Sequence, residues 1–357
     1  MNSLAERIAR LIAAQGPLSV AQFMTMALHD PQSGTYASRD PLGTRGDFIT
    51  APEISQVFGE LLGLWCVQLW RDQGAAKKIR LMELGPGRGT LMADALRAAK
   101  LDPKFLAAVE VVLVEASPAL QAVQRERLKD SGVSIRWLER FDDSLSDRPL
   151  LLLANEFFDA LPIRQFVHAA RGWCERMVTI ENGQLAFALA PSASALDIPA
   201  SRGKPEDGAV FETSPAASAL TEEIARIIEA RGGGALIVDY GYDNGTFGDT
   251  LQAVRDHRFT EILAEPGDAD LSAHVDFTAL AAAASRGGAK TFGPVAQGAL
   301  LEKLGVTARS AQLQRANAKS AADIGAAIHR LVDPDKMGTL FKALAILPAG
   351  AAAPPGF

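Results

Sequence analysis

Apolar residues recur at helical spacing through the first part of the chain. They come every three to four positions over residues 4–15 and near Val20 to Leu28, and a broader apolar stripe runs from Glu53 to Leu69. The stretch from Gln32 to Pro52 is rich in glycine and charge, which predicts a long loop, and loops of this length are often functional lids. Residues 1–75 are therefore predicted to form a helical extension with a lid loop and no strand.

Further along, the pattern changes to short apolar runs that alternate with helical stretches. Seven runs predict strands, at Ile79–Leu84, Val109–Glu115, Val133–Leu138, Leu150–Ala154, Ala235–Tyr240, Ala289–Phe292 and Phe341–Leu347. The helical stretches are Thr90–Lys100, 117–129, Phe277–Ser285, 298–304 and 309–331. Strands that are apolar throughout and joined by helices are typical of a mostly parallel sheet with helices on both faces. The pattern thus predicts an α/β sandwich with a seven-stranded sheet.

Two stretches interrupt this alternation. The run from Arg164 to Ala190 has short β-prone pieces around a turn at Asn182-Gly183, which predicts an inserted antiparallel hairpin set. Residues 191–209 are rich in Ala, Ser, Pro and Gly and are predicted to be an exposed loop. Residues 242–271 are predicted to be a second, irregular insertion.

These boundaries predict three parts of the chain. Residues 1–75 form the helical extension and lid loop, and residues 76–163 together with 210–347 form the sheet core. The insertions at 164–209 and 242–271 would form a substrate-recognition subdomain. So much added surface beside a cleft favours a large partner over a small molecule.

Composition narrows the classes of function. The 357 residues are 48% apolar and 22% charged, which is enough apolar material for a sizeable core and excludes disorder as the dominant state. With 36 Lys and Arg against 42 Asp and Glu, the net charge of -6 and the lack of a long basic run disfavour nucleic acid as a partner. No apolar stretch is long enough for a membrane helix. Cys66 and Cys174 have no spacing typical of a metal site, so we expect reduced, packed thiols and no metal.

The most informative motif follows the first predicted strand. It reads Glu-Leu-Gly-Pro-Gly-Arg-Gly-Thr and leads into a helix. The glycine spacing is GxGxG and not the GxGxxG of dinucleotide sites, and an acid precedes the first glycine by two positions. Glycine amides can approach a carboxylate while the acid serves an ammonium group, a pairing that resembles motif I of class I S-adenosylmethionine-dependent methyltransferases. The predicted cofactor-binding residues of this motif are Glu83, Gly85, Pro86, Gly87 and Gly89.

Acidic and polar residues follow the next two strands as well. Glu115 ends the second strand, and its two carboxylate oxygens suit the two hydroxyls of a ribose. After the third strand, Asp143 and Ser144 stand where enzymes of the class just named contact the adenine. Capping of the local loop is the alternative role for these two residues.

The fourth strand is followed by Asn-Glu-Phe-Phe-Asp-Ala-Leu-Pro. In doubly wound sheets this edge is where a substrate meets the cofactor. We therefore predict that Asn155, Glu156 and Asp159 orient a nitrogen nucleophile, with Asn155 also facing the cofactor. The alternative is that Asn155 and Asp159 only cap the turn.

Five segments together carry a more specific resemblance. They are Gly46–Gln56, Glu83–Gly89, Asn155–Pro162, Asp239–Gly241 and Ser272–Phe277. They resemble the MidA-like family of class I methyltransferases over residues from about 4 to 347. That family is related to a mitochondrial complex I assembly factor that methylates arginine in a core subunit. The resemblance implies a Rossmann-like methyltransferase sandwich, S-adenosylmethionine as the methyl donor, and symmetric dimethylarginine on a 49-kDa-type subunit of respiratory complex I.

The arginine chemistry that the resemblance implies suggests roles for four acidic residues and one histidine. Glu156 is the first choice for the carboxylate that fixes the planar guanidinium fork, and Asp159 would share this load. Glu53 or Asp47, from the long N-terminal loop, would close over the arginine. His274 is a candidate proton acceptor, with a packed, hydrogen-bonded histidine as the alternative.

Other readings of the sequence stay open at this point. One is an assembly chaperone that binds the cofactor without catalysis, and another is a methyltransferase for a different nitrogen or a small molecule. A nicotinamide dehydrogenase is disfavoured by the glycine spacing. Without an export signal, the expected compartment is the cytoplasm in a bacterium or the mitochondrial matrix in a eukaryote.

Overall fold

The structure, a computed structural model, describes residues 4–35, 49–142, 147–191, 196, 198–243, 245 and 247–357. Its contacts divide the chain into two units, which we name here. The insertion unit contains Met1–Phe48, Asp159–Ser218 and Tyr242–Thr278. The core unit contains Ile49–Phe158, Ala219–Gly241 and Ala279–Phe357.

Strands are numbered in chain order. The first eight are β1 (Leu18–Ser19), β2 (Ile79–Leu84), β3 (Val109–Val114), β4 (Ser134–Leu138), β5 (Leu150–Asn155), β6 (Arg164–Ala169), β7 (Gly172–Glu181) and β8 (Gln184–Leu189). The others are β9 (Val210–Thr213), β10 (Gly233–Tyr242), β11 (Gln252–Arg255), β12 (Arg258–Thr260), β13 (Asp270–Ser272), β14 (Val275–Asp276), β15 (Lys290–Ala296) and β16 (Phe341–Leu347).

Helices are numbered in the same way. The first six are α1 (Leu4–Gln15), α2 (Val20–His29), α3 (Ala51–Ile54), α4 (Gln56–Asp72), α5 (Thr90–Ala99) and α6 (Pro103–Ala108). They are followed by α7 (Pro118–Leu128), α8 (Pro215–Arg231), α9 (Phe277–Arg286), α10 (Gln297–Lys303), α11 (Val306–Ala316) and α12 (Ala321–Val332). Short turns of other helical types lie at Ala200–Arg202, Ala318–Ser320 and Pro334–Gly338.

The core unit is built on a sheet with the strand order β15-β16-β10-β5-β2-β3-β4. Five neighbouring strands, from β10 to β4, run parallel. Strand β16 is antiparallel to β10, and β15 is antiparallel to β16, so β15 runs in the same direction as the five. The residues of β2 and β5 are buried throughout, as expected for strands covered on both faces. The predicted α/β fold with a mostly parallel sheet is therefore confirmed. The seven predicted strands form this order, although the complete sheet has eight strands.

Helices α4 and α5 pack closely beside this sheet because two glycines of α4 face α5. A Cβ atom placed on Gly63 would lie 2.5 Å from the Cα atom of Ala95, and one on Gly59 would lie 2.7 Å from Cβ of Asp94. Large apolar side chains such as Phe58 and Trp65 fill the remaining space and are buried in the main core cluster. This contact holds the start of α5, and with it the turn after β2, against the rest of the core.

The insertion unit has its own apolar core and its own sheets. Side chains of α1 and α2, including Ile8 and Phe23, are buried there together with Val178 of β7. One sheet has the strand order β1-β7-β6-β9, with β8 paired to β7, and a second sheet has the order β12-β11-β13. The hairpins predicted between Arg164 and Ala190 are present as the antiparallel pairs β6–β7 and β7–β8.

Two predicted helices are divided in the structure. The stripe from Glu53 to Leu69 is split by Ser55, which has extended backbone and whose hydroxyl accepts a hydrogen bond from the amide of Val57 at 3.3 Å. The helix predicted at 309–331 is split at Asn317, where a non-helical backbone (φ -135°, ψ 74°) ends α11. The Ser55 hydroxyl competes with helical hydrogen bonds, and the apolar spacing alone does not indicate this.

Three other predictions are wrong in detail. Residues 1–75 contain a strand, since Leu18 and Ser19 pair with β7. The insertion at 242–271 is not irregular but carries the strands β11 to β13. The 191–209 segment is not wholly an exposed loop, because the side chain of Arg202 is only 5% exposed and pairs with Asp276. Most of the predicted lid loop, at 36–48, lies outside the described residues.

Candidate functional site

The strand register brings three of the predicted segments to one edge of the core sheet. Leu84 of β2 lies beside Val114 of β3 on one side and beside Ala154 of β5 on the other. The residues that follow are Gly85, Glu115 and Asn155. The glycine turn, the proposed ribose carboxylate and the polar segment after β5 therefore begin side by side at the carboxyl ends of parallel strands, where ligands of such sheets bind.

The turn after β2 requires glycine at three positions. Gly85, Gly87 and Gly89 have φ values of 60°, 53° and 75°, in the left-handed region that other residues rarely adopt. The amide of Gly85 donates to the carbonyl of Val114 at 3.1 Å, and the amide of Gly89 donates to Pro86 at 2.7 Å. A Cβ atom on Gly85 would lie 2.8 Å from Cδ2 of Phe157. The turn thus presents bare backbone at the sheet edge, and the segment after β5 packs directly against it.

Glu83, two residues before the turn, is a buried carboxylic acid. Its side chain accepts a hydrogen bond from the main chain of Met92, while Oε2 has no partner among the described residues. Burial, together with the nearby charge of Glu115, raises the pKa of Glu83 to about 8, although the hydrogen bond from Met92 opposes the rise. A buried oxygen without a donor is costly, and a cationic ligand group would satisfy it. This observation fits the ammonium group that the motif predicts.

Glu115 lies just beyond β3 with both carboxylate oxygens held. Oε1 accepts a hydrogen bond from the amide of Ser117 at 2.8 Å, and Oε2 accepts one from Nε2 of Gln124 at 3.2 Å. Burial raises the pKa of Glu115, and these hydrogen bonds oppose the rise. Each carboxylate oxygen has a second lone pair, so the group retains the capacity to accept from two ribose hydroxyls.

The segment after β5 is held by its own polar groups. Glu156 has a positive φ of 49°, and its amide donates to Val238 of β10 at 2.9 Å. Oε1 of Glu156 accepts from Nδ2 of Asn155 at 3.0 Å and from the amide of Ala51 at 2.8 Å. Asn155 is buried, and its Oδ1 has no hydrogen-bond partner among the described residues. A residue forced into the left-handed region at the edge of a sheet is a feature often found at functional sites.

Helix α3 connects the carboxylate of Glu156 with the glycine turn. Its first residue, Ala51, donates to Glu156, and its Glu53 accepts a hydrogen bond from the hydroxyl of Thr90. Thr90 is the first residue of α5 and directly follows Gly89. Glu53, predicted to close over a substrate arginine, therefore lies at the end of the glycine turn.

Asp239, on β10, is a site residue to which sequence reasoning gave no role. It is fully buried, and its Oδ2 accepts from the amides of Phe157 and Phe158 at 3.1 and 2.9 Å. Its Oδ1 accepts from the amide of Tyr240 at 2.9 Å. Asp239 thus holds the turn that carries Glu156. In the sequence, this role could have been inferred from the position of Asp239 as an acid at the end of an otherwise apolar strand.

Two predicted catalytic residues lie in the insertion unit. The main-chain oxygen of Asp159 accepts from the amide of Ala273 at 2.9 Å, which brings Asp159 beside the segment that carries His274. The amide of His274 donates to the hydroxyl of Thr250 at 2.9 Å. Burial lowers the pKa of the His274 imidazole, so the ring is largely neutral near pH 7.

Three predicted residues fall outside the described part of the chain: Asp47, Asp143 and Ser144. Within the described residues, no group of three or more His, Cys, Asp or Glu side chains is arranged to hold a metal ion. None of the described helices combines the length and the apolar character needed to cross a membrane.

Comparisons with known proteins match almost the whole chain. Residues 61–295 match the family Methyltransf_28, which consists of S-adenosyl-L-methionine-dependent methyltransferases. Proteins named "Protein arginine methyltransferase NDUFAF7, mitochondrial" are similar in sequence. The one from Mus musculus is 37% identical, covering 94% of this chain and 82% of its own length. The one from Homo sapiens is 36% identical, covering 94% of this chain and 81% of its own.

A solved structure is similar over nearly the whole chain. It is the crystal structure of a Burkholderia thailandensis protein bound to S-adenosyl-homocysteine, with a TM-score of 0.88 and 31% sequence identity. The alignment covers 99% of this chain and 94% of that one. The similarity therefore includes the insertions as well as the sheet.

Proposed function

Because the chain belongs to the family of S-adenosyl-L-methionine-dependent methyltransferases, we propose that it methylates arginine side chains of a protein substrate, forming symmetric dimethylarginine. This membership confirms the resemblance to the MidA-like methyltransferases and the choice of S-adenosylmethionine over a nicotinamide cofactor. The substrate class is supported by the relatives, which are named protein arginine methyltransferases.

The residues at the sheet edge suit this cofactor. Glu83 would face the ammonium group, the amides of Gly85 to Gly89 the carboxylate, and Glu115 the ribose, with Asn155 close to the reacting end. One buried oxygen each of Glu83 and Asn155 has no hydrogen-bond partner among the described residues, which supports this assignment. When bound there, the cofactor supplies an electrophilic methyl group attached to a sulfonium.

The observation that carries the proposal is the position of Glu156. Its carboxylate is fixed by Asn155 and by the amide of Ala51, and it follows the strand beside the glycine turn. An arginine guanidinium, with a pKa above about 12, arrives charged and with its nitrogen lone pairs delocalised. A fixed carboxylate can bind the planar fork and localise positive charge on the nitrogens it contacts, which leaves another nitrogen more nucleophilic. We therefore assign Glu156 as the residue that orients the substrate.

Supporting roles follow for the other predicted residues. Asp159 would share the guanidinium charge, and the neutral imidazole of His274 would accept the proton that the methylated nitrogen releases. Glu53, bonded to Thr90, would hold α3 over the turn. Most of the rate enhancement is expected from alignment of the nitrogen with the methyl group in a site closed to water.

We further propose that the substrate is a 49-kDa-type subunit of respiratory complex I, methylated during assembly. Support comes from the MidA-like resemblance and from the mitochondrial relatives, and the insertions offer surface for a protein of that size. The corresponding compartments are the mitochondrial matrix in a eukaryote and the cytoplasm in a bacterium.

The test mixes the purified protein, this subunit and S-adenosylmethionine labelled in the methyl group, and locates the label by mass spectrometry. Glu156→Gln keeps an oxygen that accepts from Asn155 and Ala51 but removes the charge, so methyl transfer should fall by about a hundredfold or more while cofactor binding is retained. The matched control is Glu126→Gln, since the side chain of Glu126 is 75% exposed.

Each outcome decides between the alternatives. Label on an arginine as the symmetric isomer supports the proposal. Label on another type of nitrogen, or binding of the subunit without any label, contradicts it and favours another methyltransferase activity or a chaperone. A fully active Glu156→Gln protein would remove Glu156 from the mechanism.

A further inference from the structure

A glutamine occupies the middle of a buried helix stripe in the core unit. Along α7, the buried residues are Leu120, Gln124 and Leu128, and Gln124 is completely inaccessible to solvent. An apolar side chain would be expected at the centre of such a stripe. Burying an amide is unfavourable unless its donors and acceptor are satisfied, so the hydrogen bonds of Gln124 need an explanation.

The partners of Gln124 fix the orientation of its amide. The indole Nε1 of Trp137 can only donate, and it lies 2.9 Å from Oε1 of Gln124. The amide nitrogen must therefore face the other way, where it donates to the carbonyl of Gly87 at 2.7 Å and to Oε2 of Glu115 at 3.2 Å. Both of its N–H groups are used, and both go to residues of the proposed cofactor site.

This arrangement ties two separate segments together. Gly87 lies at the centre of the turn after β2, and Glu115 follows β3. The Ser117 amide holds one carboxylate oxygen of Glu115, so the bond from Gln124 to the other oxygen fixes the plane of the carboxylate. Trp137 is itself covered by the guanidinium of Arg125, 3.9 Å from the ring centroid. The indole of Trp137 therefore holds the side-chain amide of Gln124 in one orientation.

We propose that Gln124 is a positioning residue that aims the Glu115 carboxylate at the ribose hydroxyls of the cofactor and keeps it in register with the glycine turn. This inference rests on the proposed cofactor site. A leucine at this position would fill the space but lose both donors. A glutamate would place a third acceptor opposite the carboxylate of Glu115 and the carbonyl of Gly87.

The test compares two ligands by calorimetry: S-adenosylhomocysteine and its synthetic 2′,3′-dideoxy analogue, which lacks both ribose hydroxyls. Hydrogen bonds to a charged group are strong, so the wild-type protein should prefer the natural ligand by about a hundredfold. Gln124→Leu should reduce this preference by about tenfold, chiefly by weakening binding of the natural ligand. General damage to the fold would weaken both ligands equally and leave the preference unchanged.

A neighbouring glutamine provides the matched control. Gln121 is also on α7, but its Nε2 donates to the main-chain oxygen of Glu115 and not to the carboxylate. Gln121→Leu should keep the wild-type preference within about twofold. If Gln124→Leu does not fold, Trp137→Phe serves in its place, since it keeps an aromatic ring but removes the donor that orients the amide, and it should reduce the preference in the same direction.

Glu115→Gln separates this inference from the proposed site. If the wild-type protein does not bind S-adenosylhomocysteine, or if Glu115→Gln keeps the full preference, the proposed cofactor site is wrong. If Glu115→Gln loses the preference while Gln124→Leu and Trp137→Phe keep it, the site stands and the role of Gln124 is refuted.

Discussion

Replacing Gly85 with alanine tests whether the glycine turn and the segment after β5 are in contact, as the structure has them. Two separate penalties are expected. Gly85 has a φ of 60°, and a new Cβ atom would lie 2.8 Å from Cδ2 of Phe157. The first penalty is local to the backbone, and the second exists only because Phe157 packs on the turn.

The size of each penalty follows from the geometry. An alanine in the left-handed region costs about 1–2 kcal/mol. Carbon atoms pack favourably at about 3.5–4 Å, so the contact with Phe157 forces a displacement that costs about a further 1–3 kcal/mol. We expect Gly85→Ala to lower the free energy of unfolding by about 2–5 kcal/mol in total.

Gly132 provides the control for the backbone penalty. It has a φ of 77°, and a Cβ atom there would have nothing within 4 Å. Gly132→Ala should therefore lower the free energy of unfolding, measured by urea denaturation, by only about 1–2 kcal/mol. Combining Gly85→Ala with Phe157→Ala should recover about 1–3 kcal/mol relative to the sum of the single changes.

The contact would be refuted by equal losses for Gly85→Ala and Gly132→Ala, together with additive effects of Gly85→Ala and Phe157→Ala. Such a result would mean that Phe157 does not lie on the turn. The proposed site would then lose the link between its cofactor-binding and substrate-orienting parts.

Three further predictions concern individual residues. Gly87→Val should abolish binding of S-adenosylhomocysteine in calorimetry, since the turn needs a positive φ of 53° and bare backbone; unchanged affinity would count against the turn as the site. The pKa of Glu83 is raised to about 8 by burial, so the folded state binds a proton that the unfolded state has released above about pH 4.5. The free energy of unfolding should therefore fall as the pH rises from about 5 to about 8, by up to about 1.4 kcal/mol per pH unit. Urea denaturation of Glu83→Gln should lack this contribution, and identical pH profiles of the two proteins would refute the raised pKa of Glu83. In Asp239→Asn, one of the two acceptor oxygens is replaced by an NH2 group, so the change should lower the free energy of unfolding by about 1–3 kcal/mol and slow methyl transfer. Unchanged stability and unchanged activity would contradict the role of Asp239 in holding the turn after β5.

The sheet and the glycine turn were predictable because local signals suffice for them. Leu150 to Ala154 is apolar at every position, as a strand buried on both faces must be, and the turn needs glycine where φ is positive. The strand order along the sheet brings these segments to one edge, and the family resemblance named the ligand they would hold. The positions of the residues at these strand ends could thus be predicted from the sequence, while their roles toward the cofactor stay predictions.

The remaining features depend on contacts between distant segments. Strand β1 has two residues and forms only because Leu18 and Ser19 meet β7, more than 150 residues away in the chain. The role of Asp239 depends on the three amides around it, and the role of Gln124 depends on the carboxylate of Glu115. Neither role could be predicted from the spacing of residues in the sequence. Ser55 interrupts one predicted helix with its own hydroxyl, and Asn317 ends α11 through a non-helical backbone, although the apolar spacing is continuous in both stretches.

A crystal structure with S-adenosylhomocysteine would test the central claim most directly. The ligand is expected over the turn from Gly85 to Gly89, with its ammonium toward Glu83, its ribose on Glu115, and its sulfur facing Glu156. A ligand bound elsewhere on the protein, or a ribose that does not contact Glu115, would contradict the account.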